Sequence, residues 1–420
     1  MMSGGKYVSL VFLLMVGLAC PVGGGTENAA ATEVRVGENN FLEIEGKPVF
    51  VIGAYGLPKG MSLQDGKAMG FNLVHASAKL EAWDAANREG LYVWHSFDQN
   101  LDSASGNVEG KKAAVRKTVE AFARHPTLLF WESMDEPAWT DRAPEKARAT
   151  PAGLAEGYRY LKSLDSRHPV YLNHAPRNTV ETLRKYSAAC DIVCADVYPI
   201  IPPGMRRMYA ITPEGRHGDL PNQTPSCIGE FVDKMKKVAL EKQPVFIVLQ
   251  GFAWEALREK NPDRSLIRYP SYTESRFMAY DAVLHGANGL MVWGLSYVPS
   301  DHAFLKDLEK TLTELRELSP VFLSPNRLPQ PILRYHERGS TIAAGIETLC
   351  KKNSDGVYLV AANTGIDPAA MDFTSLPPEF ASAKELAVRG ENRAVPIANG
   401  AFFDEFEGLG VHVYQAAGAR

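Results

Sequence analysis

The sequence has few cysteines, and none of them shows the spacing of a metal site or a disulfide framework. Five cysteines occur in 420 residues. Cys190 and Cys194 bracket the start of a predicted strand, whose extended backbone holds them too far apart to bridge. Cys227 and Cys350 fall in different predicted units. We therefore expect four unpaired buried thiols, no bound metal and no cofactor.

Three further absences exclude classes of function. The net charge is only -4, which gives no electrostatic reason to expect nucleic acid or an anionic membrane as a partner. No glycine-rich phosphate loop follows any predicted strand, which argues against a doubly wound nucleotide-binding fold. No His-x-His pair occurs, which argues against the common binuclear metal hydrolases.

The first 20 residues have the pattern of a signal peptide. Lys6 supplies a positive charge, and the apolar run from Tyr7 to Leu18 is too short to span a bilayer. Residues 21–33 then form a small, polar linker. Gly17-Leu18-Ala19-Cys20 resembles a bacterial lipobox, although Gly17 stands where a larger aliphatic residue is usual. Lipidation at Cys20 and ordinary cleavage both remain open, and both predict export to the periplasm, cell surface or medium.

Eight apolar, β-rich runs follow, and most intervals between them have helical periodicity. Near-continuous apolar strands that alternate with helices predict a parallel sheet covered on both faces. Eight such units predict a (β/α)8 TIM barrel over residues 34–320, with a hairpin at 34–48 as a plug at its bottom. A doubly wound open sheet is the alternative. The eight predicted strands are Val49–Tyr55, Phe71–Ala76, Leu91–Phe97, Leu128–Met134, Val170–Asn173, Ile192–Tyr198, Val245–Phe252 and Leu290–Leu295.

The pattern changes after a last amphipathic helix at Ser300–Ser319. Three prolines between Ser319 and Pro329 predict a linker. Short alternating runs separated by Gly, Pro, Asn and Asp then predict a small antiparallel β-sandwich over residues 326–420. We expect this domain to pack against the barrel rather than to bind sugar. Its predicted strands are Thr341–Ile346, Val357–Ala362, Leu386–Val388 and Val411–Tyr414.

Polar and aromatic residues stand at the carboxyl ends of the predicted strands, where catalytic groups of such barrels lie. Carboxylates, amides and aromatic planes at one mouth suit a sugar, whose hydroxyls need donors and acceptors and whose C–H faces stack on rings. The predicted catalytic group is Glu136, Asp135 and Asp196. The predicted substrate-binding group is Tyr55, Trp94, His95, Asn173, His174, Tyr198, Gln250, Trp254 and Trp293.

Glu136 is the strongest of these candidates. The run Phe130-Trp131-Glu132-Ser133-Met134-Asp135-Glu136-Pro137 begins apolar and ends in two adjacent acids before a proline. A buried strand that ends on paired acids is costly unless the acids face solvent, a partner or a substrate. Glu132, by contrast, suits a polar residue paired inside the barrel.

The run Asp135-Glu136-Pro137, with His125-Pro126 and Trp131 before it, resembles the fourth strand of the clan A retaining glycoside hydrolases. In that clan the pattern is Asn-Glu-Pro and the Glu is the acid/base. Asp196-Val197-Tyr198-Pro199 and the approach to Trp293-Gly294 reinforce the resemblance. It implies that Glu136 protonates the glycosidic oxygen and that Asp135 replaces the Asn that binds the 2-hydroxyl.

The resemblance fails on the seventh strand. The clan places its nucleophilic Glu at that strand's end, where this sequence has Gln250. Three alternatives for the missing carboxylate nucleophile stay open. Asp196 could act as base for a water, or Glu255 could reach the site from a loop. The third alternative is a nucleophile supplied by the substrate and oriented by Gln250 and Asp135. Asp196 ranks first because a strand positions a side chain more rigidly than a loop.

Three functions compete. The first is an exported glycoside hydrolase that cleaves an oligo- or polysaccharide. The second is a carbohydrate-binding barrel without hydrolytic activity, which Gln250 favours. The third is a metal-dependent barrel hydrolase that uses His75, His95, His174 and Asp196. The sequence leaves the sugar, the linkage, the stereochemistry and the oligomeric state open.

Overall fold

A computed structural model describes residues 32–102, 106–138, 147–203, 222–258, 260–337, 345–380 and 383–417. The predicted signal peptide and Cys20 lie outside the described residues, as does most of the predicted strand Thr341–Ile346. No helix in the described part of the chain is both long enough and apolar enough to cross a bilayer.

A three-stranded antiparallel sheet precedes the barrel. It consists of β1 (Val34–Val36), β2 (Leu42–Ile44) and β3 (Lys47–Val49). Val34, Leu42 and Ile44 are buried in one cluster with the barrel interior. Asn40 donates to Glu241 O and Asn288 donates to Asn39 O, just before two barrel strands begin. The sheet therefore covers the amino-terminal, bottom end of the barrel.

Eight parallel strands close into a barrel, with helices in the connections. In chain order these elements are β4 (Val51–Ala54), α1 (Leu63–Ala68), β5 (Leu73–His75), α2 (Leu80–Glu89), β6 (Tyr92–Ser96), α3 (Val108–Phe122), β7 (Leu128–Glu132), α4 (Pro151–Leu164), β8 (Val170–His174), α5 (Val180–Ser187), β9 (Ile192–Asp196), α6 (Cys227–Val238), β10 (Val245–Gln250), α7 (Tyr272–Leu284), β11 (Gly289–Trp293) and α8 (Ala303–Leu323). The barrel closes where β11 pairs with β4, so the predicted (β/α)8 fold is confirmed.

The last helix runs past the predicted boundary. α8 contains Pro320 and ends at Leu323, whereas the sequence pattern ended it at Ser319. A proline within a helix removes one hydrogen bond and costs about 3 kcal/mol. Val321 and Phe322, both buried in the barrel core, offset that cost.

The C-terminal domain is a sandwich of two antiparallel sheets, as predicted. One sheet is ordered β12-β15-β18 and the other β13-β14-β19-β16-β17. The outer face of the five-stranded sheet packs on α7 and α8, because Tyr358, Val360 and Val413 share a core cluster with them. The strands are β12 (Ile332–Glu337), β13 (Ile346–Asn353), β14 (Gly356–Asn363), β15 (Ala369–Thr374), β16 (Glu385–Val388), β17 (Arg393–Pro396), β18 (Phe402–Phe406) and β19 (Val411–Ala417).

Candidate active site

Glu136 lies at the carboxyl end of the barrel, four residues after β7 ends. Its backbone has φ +44°, in the left-handed region that non-glycine residues rarely adopt. The Glu136 amide donates to Asn173 O on β8 at 3.0 Å, which holds this conformation. Such strained residues cluster at functional sites. The Glu136 side chain is 17% exposed, whereas that of Asp135 is 61% exposed.

The carboxyls of Glu136 and Asp196 are neighbours at the mouth. Asp196 ends β9, and its carboxyl lies close enough to that of Glu136 for each to shift the pKa of the other. Burial first, and then the charge of Asp135, raise the pKa of Glu136 to about 7. Burial and the neighbouring acids also raise the pKa of Asp196 well above its usual value. Two neighbouring carboxyls titrate as a pair, so the last proton leaves the pair at a higher pH than it would leave an isolated carboxyl.

Asn173 on β8 links an acid that follows β7 to the acid that ends β9. Its Nδ2 donates to Asp135 Oδ1 at 3.0 Å and lies 3.4 Å from Asp196 Oδ1. Asn173 lies inside β8, so one rigid amide fixes the spacing of both carboxyls. The predicted residues Glu136, Asp135, Asp196 and Asn173 are therefore brought together at one mouth.

Two arginines, which the sequence patterns did not single out, face these acids. Arg148 Nη2 lies 3.4 Å from Glu136 Oε2, and its Nη1 lies 3.7 Å from Asp135 Oδ2. The positive charges of Arg148 and Arg177 both lower the pKa of Glu136. Arg148 precedes α4 on a connection with no periodicity. Arg177 lies three residues past β8, so a search beyond each strand's last residues would have found it.

Beneath the mouth, Glu132 forms a buried polar layer, as the sequence suggested. Glu132 is 3% exposed and accepts from Tyr55 Oη at 2.8 Å and from Trp94 Nε1 at 2.9 Å. The Tyr55 and Tyr171 hydroxyls lie 2.9 Å apart. Burial raises the pKa of Glu132 to about 7, although the hydrogen bonds from Trp94 and Tyr55 lower it. Trp94 is fully buried, so it forms part of the floor rather than an exposed sugar platform.

Aromatic rings line the wall beside Asp196. Tyr198 and Trp293 stack with centroids 5.6 Å apart, and Trp254 Nε1 lies 3.3 Å from Tyr198 O. All three predicted rings are partly exposed. Tyr297, which the strand pattern did not include, is 50% exposed, and its ring centroid lies 5.8 Å from that of Trp293. Partly exposed rings next to carboxylates can stack on the C–H faces of a sugar.

Four other candidates bond to the protein through their polar side-chain atoms. Gln250 is 2% exposed, and its amide bonds only to backbone atoms of Ile200 and Phe252. His174 is fully buried against Ser187 on α5. Glu255 is fully buried and bonds to Asp263 N and Arg258. His95 is partly exposed, but its Nδ1 bonds to Ala76 O.

No protein-family model matches the chain, and no curated protein matches it. Solved structures do match. A glycoside hydrolase family 5 protein from Bacteroides vulgatus is 14% identical with a TM-score of 0.58, over 92% of this chain and 93% of that one. An α-amylase from Anoxybacillus is 10% identical with a TM-score of 0.53, over 88% and 98%. The chain has the fold of these hydrolases.

An α-amylase from Geobacillus thermoleovorans, complexed with acarbose, gives a similar result. It is 10% identical with a TM-score of 0.52, over 87% of this chain and 98% of that one. These likenesses extend across both domains, so the barrel and the C-terminal sheets occur together in known hydrolases. At such low identity these likenesses establish the architecture alone.

Proposed function

We propose that this chain is an exported glycoside hydrolase that cleaves an oligo- or polysaccharide, with Glu136 as general acid. The observation that carries the proposal is the pair of neighbouring carboxyls, Glu136 and Asp196, at the carboxyl end of a barrel. The pKa of Glu136, raised to about 7 by burial, keeps a large fraction of it protonated at neutral pH. That protonated form is the one that can protonate a glycosidic oxygen.

Asp196 takes the second role in this proposal, that of the base that activates a water, as its strand position suggested. Because its pKa is raised, Asp196 must lose a proton before it can act as a base. Inverting enzymes hold their carboxyls roughly 6.5–9.5 Å apart and retaining ones about 5–5.5 Å. A base that activates a water belongs to the inverting arrangement, so the proposal predicts inversion at the anomeric carbon.

The surrounding groups support sugar binding. Asp135 and Asn173 offer acceptor and donor atoms for hydroxyls, and Tyr198, Trp254, Trp293 and Tyr297 offer ring faces. The amide of Gln250 is fully engaged by backbone. Gln250 therefore supports the β9 and β10 loops and does not orient a substrate nucleophile.

A carbohydrate-binding barrel without hydrolysis is the second candidate. The observation that favours it is the absence of a carboxylate at the end of β10, where Gln250 stands. Glu255, the nearest acid along the chain, pairs with Arg258. If this candidate holds, the mouth binds glycans but releases no product.

The test compares wild type with Glu136→Gln on a panel of aryl glycosides and polysaccharides, with released reducing ends as the readout. Loss of a general acid predicts a roughly 10²- to 10⁴-fold lower kcat. Glu120→Gln, on the exposed face of α3, is the control and should keep full activity. Full activity of Glu136→Gln would contradict the proposal. Wild-type glycan binding with no product across the panel would favour the second candidate.

A further inference from the structure

A second cluster of ionisable groups lies far from the mouth, where the bottom of the barrel meets the C-terminal domain. His285 follows the end of α7, and Gly289 begins β11 soon after it. The His285 Nε2 lies 2.7 Å from Glu347 Oε2 on β13 and 3.8 Å from Asp281 Oδ1 on α7. Three elements of two domains therefore meet at this imidazole and its partners.

Asp281 provides an independent indication that a cation belongs here. Its side chain is fully buried, and its Oδ2 accepts from the Gly229 amide at 2.6 Å. Its Oδ1 accepts no hydrogen bond from the described residues and faces His285 Nε2. A buried carboxylate oxygen without a donor is costly unless a positive charge balances it.

The ligand atoms have nearly the spacing of a zinc site. His285 Nε2, Asp281 Oδ1 and Glu347 Oε2 all lie within 4.8 Å of one another. Tetrahedral zinc with bonds of about 2.0–2.1 Å places its ligands about 3.3 Å apart. Glu347 is 41% exposed, so its side chain can make the small adjustment required.

The orientation of the imidazole is fixed from its other side. His285 Nδ1 lies 2.9 Å from Asp233 Oδ2 on α6. A carboxylate on the second ring nitrogen is the usual support of a zinc-ligating histidine. The ring also lies directly over Gly229, where a Cβ would come within 2.4 Å of its Nε2. The ring therefore has little freedom to turn away.

We propose that Asp281, His285 and Glu347 form a zinc site that ties α7 of the barrel to β13 of the C-terminal domain. One nitrogen and two carboxylate ligands suit zinc, whereas magnesium and calcium take oxygen ligands. The site is at the bottom of the barrel, where residues serve stability rather than catalysis. It is therefore independent of the sugar chemistry proposed for Glu136.

The test uses the full chain, stripped with a chelator and then equilibrated with zinc chloride. We expect one zinc per wild-type chain by elemental analysis, and a melting temperature that rises when zinc is added. His285→Gln should lose the stoichiometric zinc and the rise. His336→Gln is the matched control, because His336 pairs with Asp372 on an exposed face and should leave both unchanged.

Glu347→Gln is the second variant, since this side chain is partly exposed and its loss leaves no buried cavity. It should weaken zinc binding about 10-fold or more. A wild-type chain that takes up no stoichiometric zinc at micromolar concentrations would overturn the proposal. Stoichiometric zinc that persists unchanged in both His285→Gln and Glu347→Gln would place the ion elsewhere and overturn it equally.

Discussion

Glu136 lies between charges of opposite sign, and these charges set the pH range in which it can donate a proton. After burial, Asp135 is the largest influence that raises its pKa, and Arg148 and Arg177 lower it. Activity that depends on protonated Glu136 should therefore fall as the pH rises through about 7.

Replacing Asp135 or Arg148 should move the alkaline limb of the pH–activity profile in opposite directions. Asp135→Asn removes a negative charge, so the pKa of Glu136 falls and the limb moves to lower pH. Arg148→Gln removes a positive charge, so the limb moves to higher pH. The measurement is kcat/KM against pH for each variant. Asp98→Asn, whose carboxylate pairs with Lys111, is the control. Shifts in the same direction would contradict the role given to these charges.

Strand geometry explains which site residues could be predicted from sequence. Successive side chains on a strand point to opposite faces. Asn173 therefore points into the barrel mouth, and its neighbour His174 points outward to Ser187 on α5. Both residues were predicted to bind substrate from their residue type alone, but only one of two adjacent strand residues can face a ligand. Glu136 was predictable because a Glu-Pro after an apolar run has no structural use, whereas Arg148 follows no such pattern.

At the level of elements, α4 approaches the segment after β6 through two glycines one turn apart. A Cβ on Gly157 would come within 1.7 Å of Gln99 O, and a Cβ on Gly153 within 2.7 Å of Asp102 N. The Leu101 amide donates to Gly153 O at 3.2 Å. Because these two glycines have no side chain, the backbone after β6 can lie directly against the helix.

Gly157→Ala should therefore destabilise the protein, although alanine favours helices. The helix gains about 1 kcal/mol, but the overlap with a backbone carbonyl forces the segment at Gln99 to move. We expect a net loss of about 2 kcal/mol in the free energy of unfolding, measured by urea denaturation. Gly110→Ala on α3 is the control, because the atoms nearest to it belong to a side chain, that of Asn107, and not to backbone. Equal stability of the two variants would contradict the close approach.

The barrel strands were predicted well because buried parallel strands are continuous apolar runs. The β7 strand starts at the predicted Leu128, and β10 starts at the predicted Val245. Helix ends were harder to predict. A proline usually marks a boundary, yet in α8 the burial of Val321 and Phe322 outweighs the cost of Pro320. Local propensity cannot show such compensation, because it depends on which core the helix meets.

For the whole molecule, the sequence predicted two domains but not how they are joined. Arg276 on α7 pairs with Glu314 on α8 at 2.7 and 2.8 Å and also donates to Val411 O on β19. The side chains of Arg276 and Glu314 are largely buried. These residues are far apart in sequence, and no periodic pattern links them. One guanidinium thus connects two barrel helices to the C-terminal sheet.

Arg276→Met should weaken the attachment of the C-terminal domain to the barrel, because it leaves Glu314 charged and without its partner. Loss of one member of a buried ion pair typically costs about 3–5 kcal/mol. All six tryptophans lie before residue 294, so tryptophan fluorescence reports on the barrel alone and calorimetry reports on both domains. We expect coincident transitions in wild type. In Arg276→Met the two measurements should separate, with a lower calorimetric transition for the C-terminal domain.

The double variant Arg276→Met with Glu314→Met separates charge from packing. If the cost arises from an unpaired carboxylate, removing that carboxylate should restore most of the lost stability. A remaining deficit of about 1–3 kcal/mol is expected, because Val411 O still lacks the donor that Arg276 provided. A double variant as unstable as Arg276→Met would assign the loss to the contact with β19. A single variant as stable as wild type would show that the contact between the two domains does not depend on this arginine.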